Sequence, residues 1–185
     1  MVVDNPAPPS VRIWVATLTQ ADLRLRRWLD PREMGRFLSY ESPADRARFL
    51  LGAAMLRSAV GQQVGMRPED VPVDRECESC GAWHGRPRVP GSSLHLSVSH
   101  AGLLVAVAMA TAGAVGIDVE RIRSSPAAAE SWTHHEARFK AGGGEDLLVH
   151  SLPLPWPGHL MAVAHPKNGT VKVSTSRQRL DLLER

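Results

Sequence analysis

Lysine is scarce in this chain: Lys140, Lys167 and Lys172 are the only ones, so arginine carries nearly all the positive charge. Aromatic residues make up 5% of the 185 residues, and there are two cysteines. Two cysteines are too few for a disulfide framework, which argues against a small stapled secreted domain. No apolar run approaches the ~20 residues that span a bilayer. The segment Met1 to Ser10 is proline-rich and has neither the basic start nor the apolar stretch of a signal peptide. These absences predict a soluble cytoplasmic protein without membrane contact. The basic residues are scattered rather than gathered into one run, which disfavours nucleic acid as a partner. There is no GxSxG nucleophile elbow, no internal repeat and no heptad array.

What is present is a hydrophobic fraction of 43%, enough for one good core or two small packed halves. Net charge is +3, and an arginine-rich excess suits phosphate and carboxylate ligands, such as a nucleotide cofactor or an acidic protein. Genome composition explains a basic balance equally well.

Val11 to Leu18 alternates loosely as a first strand. Gln20 to Leu29 and Ala44 to Val64 carry apolar residues at helical spacing, the second through Phe49, Met55, Leu56 and Val60. Ser42 and Pro43 form a cap and first turn for it. Arg67 to Arg75 reads as a loop or short strand and Gly81 to Ser93 as a turn-rich connector. Leu94, Leu96 and Val98 then alternate with His95, Ser97 and Ser99, a half-buried strand. After a turn at His100-Ala101-Gly102, Leu103 to Ala110 suits a strand buried on both faces. Val115, Ile117 and Val119 open a further alternation, predicted to neighbour the serine strand in one sheet with polar residues of both on one side. Ser124 to Ala129 reads as a linker, Glu130 to Ala141 as a short helix stopped by Gly142-Gly143-Gly144. Leu160 to Ala164 and Thr170 to Ser174 read as late strands.

Three stretches carry chemistry. In Val115-Gly116-Ile117-Asp118-Val119-Glu120 the two acids share one strand face, about 6.5–7 Å apart. Paired carboxylates repel unless a cation lies between them, and few hard oxygen ligands suit Mg²⁺ completed by water and phosphate. An exposed pair beside Arg121 and Arg123 is the plainer reading. On a helix, Trp132, Glu136 and Lys140 lie at i, i+4 and i+8 and share a face; an ordinary Glu–Lys pair would look the same. His134, His135 and Glu136 fail as a metal site, because adjacent helical residues diverge by about 100°. Ser97-Val98-Ser99-His100-Ala101-Gly102 fits phosphate binding at a strand end better than a Ser–His nucleophile pair. Cys77-x-x-Cys80 with His84 could bind zinc if a fourth ligand such as His95 came near; reduced, unligated loop residues are the plainer reading.

The order of these stretches resembles the Sfp-type 4′-phosphopantetheinyl transferase family: H-L-S-V-S-H-A-G, an apolar strand, V-G-I-D-V-E, then W-x-x-x-E-A-x-x-K with a glycine-rich sequel. Gly85-Arg86-Pro87 looks like the family's G-K-P, Asp45 through Arg57 like its N-terminal helix, and Met161-Ala162-Val163-Ala164 like its late strand. The resemblance covers roughly residues 12 to 165. It implies an α/β fold of two similar α+β halves with pseudo-twofold symmetry, residues 1–112 and 113–185, with coenzyme A in the cleft between them. It implies transfer of the 4′-phosphopantetheine arm of coenzyme A to a serine of an apo acyl or peptidyl carrier protein of polyketide, nonribosomal peptide or fatty-acid synthesis. The carry-over gives Mg²⁺, with Mn²⁺ as a substitute, to Asp118, Glu120 and Glu136. It makes Glu136 the base and places Lys140, Arg36, Arg86, Ser99 and His100 on the coenzyme, with Lys140 also near the incoming serine. A monomer is expected.

Two departures stand out. His135 replaces the lysine that usually precedes the motif glutamate. Only 15 residues separate Glu120 from Glu136, a shorter segment than the family's, so a coenzyme A binder with weak or no transferase activity is the alternative.

Overall fold

The computed structural model describes residues 10–123 and 125–175. Part of the linker expectation, Ser124, and the chain beyond residue 175 lie outside the described residues. Among the described residues, nine strands and three α-helices form a mixed α/β fold. Strand β1 (Ser10–Thr17) pairs antiparallel with β5 (Leu104–Ala110), which forms a hairpin with β4 (His95–Ala101). Strand β9 (Thr170–Thr175) joins the other edge of β1 in parallel, giving the order β4-β5-β1-β9. A second sheet, β6-β8-β7, is built from β6 (Gly116–Arg121), β7 (Leu147–Leu152) and β8 (His159–Pro166). A ribbon of β2 (Asp74–Glu76) and β3 (Trp83–Arg88) stands apart.

The apolar pattern decides the layers. Every residue of β5 is buried. Val105, Val107 and Met109 face the cluster around helix α2 (Pro43–Val64), while Leu104, Ala106, Ala108 and Ala110 meet Ile117, Val119, Met161 and Val163 of the second sheet. Ala162 and Ala164, on the far face of β8, pack against Ala137 and Ala141 at the end of helix α3 (Pro126–Lys140). The sequence of layers is therefore helix, sheet, sheet, helix.

Several expectations are corrected. Gln20 to Leu29 is not an α-helix but falls in two short 3₁₀ segments, Leu18–Gln20 and Leu23–Trp28. The next helix, α1 (Pro31–Ser39), begins with an Asp30–Glu33 capping box and a proline at its first turn. The cap and first-turn proline of α2 stand as the sequence predicts, but α2 is no one-sided amphipath: Leu50 through Gly61 is buried all round. The connector Gly81 to Ser93 contains strand β3, and β7 follows the triple glycine. Helix α3 begins at Pro126, not Glu130, because Ser125 caps it through a hydrogen bond to Ala128 N–H. Strands β4 and β6 lie in different sheets.

Candidate active site

Although β4 and β6 share no ladder, their edges meet through side chains. The outward N–H groups of Ile117 and Val119 donate to Ser97 Oγ at 3.1 Å and Ser99 Oγ at 3.2 Å. Two N–H groups of the β6 edge are thereby satisfied without merging the sheets. This seam brings the polar residues of the two strands onto one side, as their alternation predicted. Ser99 donates to Asp118 Oδ1 at 2.9 Å and accepts from Lys140 Nζ at 3.2 Å. With Val119 N–H, its proton and both lone pairs are committed. Lys140 Nζ also lies 2.5 Å from Asp118 Oδ1.

Helix α3 reaches the seam because residue 116 has no side chain. A Cβ there would overlap the Ala137 carbonyl oxygen and lie 2.6 Å from Ala141 N. Close helix–strand contact sets Glu136 and Lys140 opposite Asp118 and Glu120. Trp132, one turn before Glu136, is 53% exposed and donates its indole N–H to Glu120 Oε1 at 3.1 Å. The shared face of Trp132, Glu136 and Lys140 is realised: all three line a cavity of about 270 Å³ with Ser99, Asp118 and Glu120.

Beside it runs a groove of about 1240 Å³ bordered by the β2–β3 ribbon, Arg86, Ser97 and Lys140. Lys140 and Val98 line both spaces. Arg86 projects from β3 near the glycine turn after α3, where its Nη2 comes within 3.6 Å of a Cβ built on Gly142. His95 lines the groove, and burial followed by the Arg86 charge holds it below the ordinary imidazole range. His100 edges the smaller cavity; desolvation by its surroundings, then the Arg48 charge, lower its pKa too. Arg36 borders neither space: it donates to the Trp83 carbonyl at 3.0 Å and stacks over Phe49.

The cavity suits a hard divalent cation in part of its chemistry. Three carboxylates face it, Asp118 Oδ2 is buried without a hydrogen-bond partner, and no ion pair among the described residues uses Glu120 or Glu136. The three acids are not drawn into one tight cluster, since Lys140 and Trp132 hold two of them.

No family profile matches the chain. The 4′-phosphopantetheinyl transferase HetI of Nostoc sp. (strain PCC 7120 / SAG 25.82 / UTEX 2576) is 30% identical over 132 residues, 64% of this chain and 53% of that protein. By sequence the chain is similar to that phosphopantetheinyl transferase. It spans about half the length of the curated relative it matches. For three contributors to this site, sequence reasoning did not reach the role that the structure gives them. Ser97 satisfies a strand edge, and Gly116 admits the helix. Arg48 grips the Gly102 carbonyl at 2.9 and 2.7 Å and so fixes the turn after His100. The glycine was legible as part of V-G-I-D-V-E; the Arg48 contact spans 54 residues and leaves no local signal.

Proposed function

We propose that the chain transfers the 4′-phosphopantetheine arm of coenzyme A to a serine hydroxyl of an apo acyl or peptidyl carrier protein, releasing 3′,5′-adenosine bisphosphate. The observation that carries this reading is the cavity where Asp118, Glu120, Glu136 and Lys140 converge at the end of the long groove. The groove accommodates an extended nucleotide, being larger than the ~300–1,000 Å³ of ordinary small-ligand pockets. Arg86 and Lys140 supply fixed cations for its phosphates, with His95 on the groove wall and His100 at the smaller cavity.

Asp118, Glu120 and Glu136 would hold Mg²⁺, or Mn²⁺ in its place, which when bound neutralises charge on the transferred phosphoryl group. The chain's own residues do the rest. Glu136 accepts the proton of the carrier serine as its oxygen attacks the β-phosphorus of coenzyme A in line. A new serine Oγ–phosphorus bond forms, and the bond to the bridging pyrophosphate oxygen breaks. The electron pair leaves on 3′,5′-adenosine bisphosphate, where Lys140 lies close enough to offset the charge. Positioning and electrostatics provide most of the acceleration in such a reaction. Ser99, fully committed to Asp118, Val119 and Lys140, acts as a positioning residue, and Arg36 acts through the ribbon carbonyl that it holds.

Two similar halves belong to the same reading. Strand β1, helix α2 and hairpin β4–β5 repeat the order of β6, helix α3 and hairpin β7–β8, and in each the second hairpin strand pairs with the first strand. This supports a pseudo-twofold relation between residues 1–112 and 113–185, with the coenzyme between them. The enzyme would act as a cytoplasmic monomer. Among the described residues no helix is long and apolar enough to cross a membrane.

Intact-mass spectrometry of a panel of apo carriers incubated with the protein, coenzyme A and Mg²⁺ tests the proposal. Gain of one phosphopantetheine, abolished by Asp118→Ala, is expected. Tight coenzyme A binding with no mass change on any carrier would refute transfer and leave a coenzyme A binder.

A further inference from the structure

The tip of the β2–β3 ribbon carries a cluster that the transferase reading does not use. Cys77 Sγ, Cys80 Sγ and a ring nitrogen of His84 all lie within 4.8 Å of one another, and they form the one such group of three metal-ligating residues found among the described residues. Cys80 Sγ and His84 Nε2 are 3.1 Å apart. Both cysteines are free thiols. We propose that Cys77, Cys80 and His84 bind one Zn²⁺ ion, with the fourth position open to water.

The geometry needs little adjustment. A tetrahedral zinc with bonds of about 2.3 Å to sulfur and about 2.05 Å to nitrogen requires S···S edges of about 3.8 Å and S···N edges of about 3.6 Å. The Cys80–His84 edge must open by about half an ångström, and no other separation need close by more than about one. The local backbone is already folded into the turn that such a pair of thiolates needs. Gly81 N–H donates to the Cys77 carbonyl at 2.8 Å, and Cys77 N–H donates to the Ala82 carbonyl at 2.8 Å. Gly81 supplies the left-handed backbone that closes the turn, with φ of 70°. The chain reverses there, and His84, one residue into β3, swings back over Cys80. Because Cys80 and His84 are exposed, an ion can enter without rearrangement of the core.

The ribbon also has a reason to need a staple. It is two-stranded, β2 is three residues long, and two-stranded ribbons are marginal by themselves. What ties its strands together beyond the ladder is mostly exposed: Arg88 bridges Asp74 at 3.2 Å and Glu78 at 2.7 Å, contacts of small worth in water. A metal at the tip fixes β3 and hence the groove wall that β3 forms. Cys77 and His84 also line the groove, but zinc binding by their donor atoms does not require that the groove take coenzyme A.

The test uses the full chain, purified reduced, stripped with a chelator and titrated with Co²⁺ and then Zn²⁺. One equivalent of Co²⁺ should give thiolate charge-transfer absorption with tetrahedral ligand-field bands, which Zn²⁺ then displaces. Cys77→Ser and Cys80→Ser should abolish the charge-transfer band, and His84→Ala should weaken binding by roughly tenfold or more. In the unmutated protein, Zn²⁺ should protect both thiols from alkylation, and a chelator should restore their reactivity. This arm reads the site even if a cysteine variant fails to fold. Absence of stoichiometric binding, an octahedral oxygen-ligand spectrum, no thiol protection, or a Cys77–Cys80 disulfide in the freshly isolated protein would overturn the proposal.

Discussion

Replacing Gly116 with alanine adds one methyl group at the point where helix α3 lies on strand β6. The added Cβ would overlap the Ala137 carbonyl oxygen, lie 2.6 Å from Ala141 N and 3.0 Å from the carbonyl carbon of Lys140. All three are backbone atoms, so no side-chain rotation relieves the contact, and the last turn of α3 must retreat. Overpacking of this kind costs about 1–3 kcal/mol. For a chain of this size, at about 2–4 °C per kcal/mol, the melting temperature should fall by about 2–12 °C. The functional effect should be larger than the stability effect. The retreating turn carries Lys140 away from Asp118, and a misplacement of about 1 Å can cost about a hundredfold in rate. Gly35→Ala is the control: residue 35 sits inside α1 with nothing within 4 Å of a built Cβ, so alanine there should stabilise by about 0.5–1 kcal/mol. Urea denaturation of both variants, with a carrier-modification assay, measures the pair. A Gly116→Ala protein as stable and active as the parent would refute the argument that close helix–strand contact builds the site.

Arg57 is 1% exposed and holds Glu33 at 2.7 Å, Asp30 at 2.9 Å and the Val71 carbonyl at 2.7 Å. Arg57→Ala leaves Glu33 buried and uncompensated, so urea denaturation should show a loss of about 3–5 kcal/mol. Burial, outweighing the Arg57 charge, raises the Glu33 pKa above its ordinary 4.5. The folded protein therefore holds that proton more tightly, and the contribution is full below 4.5 and lost as pH rises through the raised value. Glu33→Gln should flatten that segment of the stability–pH curve; an unchanged slope would exclude Glu33 as its source. Ser99→Ala strands the Val119 N–H and removes partners of Asp118 and Lys140, which should cost about 1–3 kcal/mol in chemical denaturation. His135 stacks on Trp132 with centroids 5.8 Å apart, outside the acid–lysine contacts. His135→Lys should keep or raise turnover at a pH of about 8, and a clear loss would assign the ring a role of its own.

Local pattern determined much of this protein. The Leu94–Val98 alternation, the unbroken apolar run of β5 and the Ser42–Pro43 start of α2 follow from side-chain period and capping chemistry, which act within a few residues. The spacing of Asp118 with Glu120, and of Trp132 with Glu136 and Lys140, already placed each set on one face. The α1 start at Asp30 was also written locally, in a capping box that a longer-range helical reading of Gln20 to Leu29 obscured. The tertiary structure decided which elements meet. β4 and β6 stay in separate sheets, with serine hydroxyls of β4 taking up N–H groups of the β6 edge. Lys140 on Asp118 and Arg48 on the Gly102 carbonyl bridge 22 and 54 residues. Such contacts depend on packing distances, above all the missing side chain at Gly116, and no periodicity in the sequence encodes a distance between elements.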